Sequence, residues 1–380
     1  MSLSMNLPET PYILAGALAV AVSAYIYLSS RTNEAKAKQA GARLPPGPER
    51  LPLVGNLFNF PKDRWLETFT SWGKQYGDVV YINLVGTPMI VLNSLEAAED
   101  LAIKRASTFS GRPYTRMVLD LMGAGFSLIF TQLSREFNEQ RKLFRLSLGP
   151  QVVGGYDNLI QQTVESFIGE IRDVGDDPHP RISRTISTII TIITYGEEFY
   201  RKHGEELVQL NVENTHLLAW AFTKFWAVDV IPFLRYIPEW FPGASFKRLA
   251  KIGGDQTSRI RYWAFGAIKD AVAKGTADES LVSKNLNDAV FAEPTIRDAT
   301  AIMYSAGVDT TTTSIINMFY NLVLHPEWQV KLQKELDEVV GRGNLPTAQE
   351  IPKLKLFNAA WKEALRLHPP GSLGICIFST

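Results

Sequence analysis

No proline occurs between Pro294 and Pro326, and the residues between them read as one helix, opened at Glu293-Pro294 and stopped at His325-Pro326. About 30 residues at 1.5 Å each reach roughly 45 Å, enough to cross a whole domain. A chain carrying such a rod has to pack its other elements around it. Yet AGVDTTTTS, residues 306–314, stands in its middle. Threonine's β-branch restricts χ1 and its hydroxyl competes for backbone groups. Four in succession, after a glycine and an aspartate, weaken the helix where it should be strongest.

The rest of the chain supplies ample material to surround the rod. It has 380 residues, 46% hydrophobic and 21% charged, which suits one large globular domain or two small ones. The 39 basic and 39 acidic side chains cancel, so nucleic acid is not an expected partner. Cys376 is the single cysteine; it allows no internal disulfide and fits a reducing compartment. The five histidines are scattered without a ligand pair at helical spacing, and no metal site is expected.

Residues 11–30, PYILAGALAVAVSAYIYLSS, carry no charge and are long enough to span a bilayer as a helix. Tyr12, Tyr25 and Tyr27 lie near the ends, and Arg31, Lys36, Lys38 and Arg43 follow, whereas Glu9 alone precedes. This bias predicts an uncleaved anchor over residues 1–30 with the bulk of the chain in the cytosol. A cleaved signal peptide is the rival; the long apolar run and the missing basic lead speak against it.

Residues 31–57 form a basic, proline-rich stretch in which Pro45, Pro46 and Pro48 predict an extended, stiff hinge or a plain linker. From residue 58 to 380 no domain boundary or repeat is visible. An amphipathic helix is predicted over residues 63–76, and two strands over residues 79–92 around a Gly86-Thr87-Pro88 turn. Helical spacing then dominates, over residues 133–148, 153–171, 182–195, 205–225, 245–274, 326–340 and 351–367. The fold class expected is mainly α with a small β-sheet. Between two of these helices VIPFLRYIPEWFPG, residues 230–243, is a loop rich in large apolar residues. It is either tucked into the core or exposed toward a partner, a ligand entrance or a membrane.

Three clusters stand out. Met303, Ala306, Gly307 and Thr310 share a face of the long helix by spacing, with Asp309 adjacent. Gly307 notches that face beside a hydroxyl and a carboxylate, an arrangement able to hold a small polar species and relay protons. The plain alternative is a glycine for close packing followed by exposed threonines. Glu363 and Arg366 pair at i, i+3 in a helix whose other residues (Phe357, Ala360, Trp361, Ala364, Leu365) are apolar. Such pairs are common on surfaces; a buried one would need further partners. Arg135, Arg141, Lys142 and Arg145 make a basic patch, either a solvated face or a surface for an anionic ligand.

The order of these signals resembles the cytochrome P450 family, the haem-thiolate monooxygenases, in its microsomal form common in fungi. LPPGP…PLVGNL (residues 44–57) is similar to the family's hinge, AGVDTT to its oxygen-activation pattern, and EALR followed by LHPP to its Glu-x-x-Arg helix. FNEQRKLF is similar to the helix whose tryptophan and arginine hold haem propionates, with Phe137 in place of the tryptophan and Arg141 matching the arginine. The resemblance implies the P450 fold, haem as cofactor with Arg141, Phe137, Ala306 and Gly307 around it, and catalytic roles for Asp309 and Thr310. Gly307 would make room for dioxygen, Thr310 would hydrogen-bond it, and Asp309 would deliver protons. Glu363 and Arg366 would be structural. It also implies an NADPH-dependent reductase as electron donor, an apolar small-molecule substrate from secondary metabolism or a xenobiotic, and the endoplasmic reticulum membrane.

One departure accompanies the resemblance. The family's axial cysteine lies in a Phe-x-x-Gly-x-Arg-x-Cys-x-Gly loop. Alignment on Cys376 puts Pro369, Ser372, Gly374 and Phe378 at its fixed positions, and none matches. The expectation is a family member truncated before that loop, without a haem-thiolate centre and inactive. The alternatives are a non-catalytic, membrane-tethered scaffold that binds lipophilic molecules, or an anchored helical hydrolase; no Gly-x-Ser-x-Gly elbow supports the last.

Overall fold

A computed structural model describes residues 39, 41, 43–52, 54–171 and 177–371. The uncharged span of residues 11–30, and Cys376, lie outside the described residues. Among the described residues no helix is long and apolar enough to cross a membrane. The chain divides between Ser110 and Gly111 into two compact units.

In the first unit, helix α1 (Trp65–Tyr76) buries Phe69 and Trp72 against Val80 and Ile82 of strand β1 (Val79–Leu84). Strand β2 (Thr87–Leu92) pairs antiparallel with β1, Tyr81 opposite Ile90 and Asn83 opposite Pro88. The turn falls at Val85-Gly86, one residue earlier than the sequence predicts, and both residues have positive φ, 51° and 89°. Asn83 accounts for the offset: its Oδ1 accepts the Gly86 N–H at 2.8 Å and fixes a two-residue hairpin. The proline-rich segment is extended, as its composition predicts, but it lies against β1. Pro46 O accepts the Tyr81 N–H at 2.9 Å, and fully buried Asn56 bonds Pro48 O, Glu49 O and the Asn83 N–H. A Cβ at Gly47 would stand 2.0 Å from the Tyr81 oxygen, so only glycine permits this approach. A short helix, α2 (Leu95–Glu99), capped by Ser94, follows β2.

The second unit is helical. Its longer helices are α3 (Arg135–Leu148), α4 (Asp157–Ile171), α5 (His179–Tyr195), α6 (Glu197–Phe222), α7 (Ser245–Ala273), α8 (Leu281–Asp288), α9 (Glu293–Leu324), α10 (Pro326–Val339) and α11 (Lys355–Leu367), with shorter turns between them. The long rod is α9, and its first half is buried on all sides, from Ile296 through Tyr304 apart from the partly buried Arg297. That is the pattern of a helix at the centre of a fold. Leu143, Tyr195, Phe199, Leu207, Phe265, Val282, Ala299, Tyr304 and Val308 form the main core around it, drawn from six helices. A second core gathers Met117, Val118, Met122, Ala221, Val228, Phe246 and Ala250.

Helix α6 begins eight residues before its sequence-predicted start, directly after Gly196. Gly196 takes φ 96°, which lets the chain reverse in one residue between α5 and α6. Asp278, distant in sequence, accepts the Glu198 N–H at 2.6 Å and supplies the missing N-terminal partner. The loop of residues 230–243 is neither wholly core nor wholly surface. Leu234 and Ile237 pack on the second core, while Phe233, Tyr236, Trp240 and Phe241 face outward, Trp240 being 81% exposed.

Candidate functional site

Helix α9 stays regular through AGVDTTTTS, without the interruption that four threonines invite. The hydroxyls that compete for backbone groups instead bond within the helix: Thr310 Oγ1 donates to Ala306 O at 2.7 Å and Ser314 Oγ to Thr310 O at 2.8 Å. Packing supplies the rest. Helix α5 presents Ser183, Ser187, Thr191 and Thr194, all buried, on the side where Ser187 Oγ meets the Tyr304 hydroxyl at 2.8 Å. Burial, with a smaller contribution from the Asp309 charge, pushes the Tyr304 phenol up to about 12.

The four residues expected to share one face divide between two. Met303 is buried, with its sulfur 3.8 Å from Thr194 Oγ1. Gly307 lies one turn on, and a Cβ there would come within 2.8 Å of Ile190 Cδ1. The notch is therefore filled by an α5 side chain. Ala306 and Thr310, stacked one turn apart, are exposed and form a separate open strip. The i, i+4 pairs 303/307 and 306/310 are about 60° apart around the helix, and that angle is enough to part packed from open.

Asp309 points elsewhere again. It is half-buried, and burial raises its carboxyl above the usual aspartate range; the Thr215 hydroxyl bond and the nearby His216 and His179 partly offset this. Its Oδ2 is buried without a partner. Thr215 and His216 lie on α6. Sequence reading did not single them out, because polar residues are frequent along this helix and Asn211 and Thr215 at i, i+4 do not stand out among them.

On α3, the Arg141 guanidinium sits 5.6 Å from the centre of the buried Phe137 ring. Arg141 is exposed and has no carboxylate partner among the described residues. Helix α3 packs against α9. No hydrogen bond or ion pair among the described residues joins the Arg141 side chain to Ala306 or Thr310.

Glu363 and Arg366 do pair, at 2.8 and 2.6 Å in a two-bond fork, but on an exposed face. This corrects the expectation of an apolar setting. The apolar residues of α11 (Leu356, Phe357, Ala360, Trp361, Ala364) turn toward Met318 and Leu332, and i, i+3 spacing leaves the pair on another side. Arg366 holds the Glu363 carboxyl below the usual range. The end of α11 is tied to α9 instead by His368, whose carbonyl accepts from Asn317 Nδ2 at 2.7 Å.

A small-residue strip with a hydroxyl on a central helix, a carboxylate beside it, an arginine on the neighbouring helix and a Glu–Arg fork after it form a specific set. The profile of the family described as Cytochrome P450 matches residues 45–376. The chain belongs to the cytochrome P450 family. Among curated proteins it is similar to Cytochrome P450 monooxygenase COX1 of Coprinopsis cinerea, with 32% identity over 94% of this chain and 71% of that protein. It is also similar to Cytochrome P450 monooxygenase 208 of Postia placenta, with 31% identity over 89% of this chain and 66% of that protein. A P450 monooxygenase of Armillaria gallica is 33% identical over 89% of this chain and 65% of its own length. The chain thus spans about two thirds of the length of these relatives.

The residues of this P450 chain fit one wall of a haem site. Ala306 and Thr310 are exposed one turn apart, and Arg141 is an exposed cation able to meet a carboxylate. Cys376, the only thiol in the sequence, lies outside the described residues.

Proposed function

We propose that this P450 works as a haem-dependent monooxygenase on an apolar small molecule of secondary metabolism or a xenobiotic, with electrons from an NADPH-dependent reductase. The observation that carries the reading is the open Ala306–Thr310 strip on α9, within the length matched by the family profile. Bound haem supplies the iron chemistry that activates O2. The chain's part is placement. Arg141 would bind a propionate, with Phe137 supporting its guanidinium from beneath. Ala306 keeps the strip clear for the ring. Thr310 has its proton on the Ala306 carbonyl, so it presents acceptor lone pairs to the strip and donates there only after rotating. Asp309, raised by burial, keeps a proton at its carboxyl to higher pH than a surface aspartate does.

The location that goes with this reading is the endoplasmic reticulum membrane, single-pass, with the bulk facing the cytosol. Its supports are the uncharged residues 11–30 with their basic flank and the outward aromatic residues of the 230–243 loop. A non-catalytic membrane-tethered scaffold is the outcome if haem chemistry fails.

Two measurements test the reading. In a chain extended through a relative's axial-cysteine loop, with reductase and NADPH, Thr310→Ala is expected to raise severalfold the share of NADPH not matched by product; unchanged coupling would take Thr310 out of the site. The reduced, carbon-monoxide-bound spectrum, compared with Cys376→Ser, tests the axial ligand. The expected result is no thiolate band from Cys376; a band lost on serine substitution would make Cys376 the ligand.

A further inference from the structure

Asp298, in the buried first half of α9, is met by two arginines. Arg261 of α7 closes a fork on it, Nε donating to Oδ1 at 2.7 Å and Nη2 to Oδ2 at 2.8 Å. Arg297 Nε donates to the same Oδ1 at 2.8 Å. Two guanidiniums against one carboxylate leave a positive charge over. Both side chains are largely withdrawn from water, Arg297 17% and Arg261 24% exposed, where an unmatched charge is costly. Carboxylates nearby in sequence are already engaged. Glu293, one turn before Arg297, pairs with Lys269 at 2.6 Å, and Arg259 of α7 is taken by Glu206. Arg297 spends only its Nε; among the described residues neither Nη atom meets an acceptor. Aromatic rings hold the two guanidiniums in place. The half-exposed Tyr262 ring centre lies 4.7 Å from Arg297 and 5.2 Å from Arg261, and Phe126 lies 4.7 Å from Arg261. Rings against their faces leave the edges of these cations as the place where an acceptor can bind.

We propose that Arg297 and Arg261 form a binding site for a small oxyanion, a carboxylate or a phosphate group, at the junction of α7 and α9. The two Nη atoms of Arg297 make the fork that receives two oxygens, and Arg261 supplies the charge that Asp298 alone does not cancel. Asp298 fixes both cations and is a positioning residue. The site is separate from the strip that the monooxygenase reading uses. Arg297 precedes Ala306 by nine residues, about 13.5 Å along the helix axis and about half a turn around it. An anion bound here neutralises the cluster and ties α7 more firmly to α9, so occupancy and stability rise together.

The test is calorimetric titration of the full chain with inorganic phosphate and, separately, with acetate, at constant ionic strength. Saturable uptake of at least one of them is expected, and the tighter of the two tells whether phosphate esters or organic acids are the class the site takes. Arg297→Gln is expected to weaken that uptake at least about tenfold, through loss of a charge-assisted fork. Arg297→Lys, which keeps the charge without the fork, should weaken it severalfold. Arg248→Gln removes an exposed charge elsewhere on α7 and should leave the affinity unchanged. No saturable uptake of either anion, parent affinity in Arg297→Gln, or an equal loss in Arg248→Gln overturns the proposal. If Arg297→Gln fails to fold, Arg297→Lys decides, and parent affinity in that variant overturns it. None of these readings needs haem. Anion uptake with failed turnover leaves the site standing without the monooxygenase reading, and the reverse outcome leaves that reading standing without the site.

Discussion

Asp309 and Thr310 are neighbours in sequence and meet different surroundings, one facing α6 and the other the open strip. Burial raises the Asp309 carboxyl, so the folded chain binds that proton more tightly than the unfolded chain does. The resulting stabilisation is complete below the unfolded aspartate value of about 3.9 and is lost as pH rises through the raised folded value. Asp309→Asn removes this dependence. Its urea midpoint relative to the parent is expected to climb as pH rises above about 4, and a difference that is flat with pH would place the carboxyl in solvent. Gly307 gives a second residue-scale expectation, because an alanine methyl there occupies the place of Ile190 Cδ1. Ile190→Val alone should cost about 1 kcal/mol and almost nothing in a Gly307→Ala background, a coupling read by a double-mutant cycle. The residue types at 306–310 were legible in the sequence. Their directions were not, since 100° per residue distributes consecutive side chains among neighbours that only the fold brings near.

At the scale of elements, the long helix was legible because prolines bracket it and nothing breaks its spacing. What holds it straight was not. The Ser187–Tyr304 bond joins residues far apart in sequence, both fully buried. Tyr304→Phe should destabilise by about 1–2 kcal/mol by leaving the serine hydroxyl unpaired, and adding Ser187→Ala should recover most of the loss. Additive losses in chemical denaturation would show that the two hydroxyls do not serve each other. The same limit hid the helix ends. Asp278 serves the start of α6, and Glu335 of α10 accepts the Leu356 and Phe357 N–H groups at 2.8 and 2.9 Å at the start of α11. Neither cap is local, so no Ser, Thr or Asn signal announced it. Glu335→Ala should cost about 0.5–2 kcal/mol, with hydrogen exchange rising first in the opening turn of α11.

At the scale of the whole molecule, the order of weak motifs identified the family where no single motif did, because hinge, central helix and Glu-x-x-Arg helix recur in one sequence order. The loop of residues 230–243 was ambiguous for a physical reason: it is apolar on both sides and has no period that assigns an inside. In the fold Leu234 and Ile237 turn to the core, while Tyr236 is 75% and Trp240 81% exposed, with Phe225 and Phe233 also outward. Large aromatic rings held outward at one place suit the interface of a bilayer, where the ring is buried and its polar edge stays wet. Lys224 and Arg235 balance Asp229 and Glu239 across residues 220–243, so attraction to anionic lipid contributes little. With residues 1–30 removed, the chain is expected still to bind vesicles of neutral phosphatidylcholine, and binding should persist in about 0.5 M salt. Replacing Phe233, Tyr236 and Trp240 together by serine should weaken it at least about tenfold, because each ring withdrawn from the interface forfeits on the order of 1 kcal/mol of apolar burial. Equal binding by parent and triple variant would detach the loop from the membrane. Binding that disappears with salt would mean that basic residues elsewhere carry the contact.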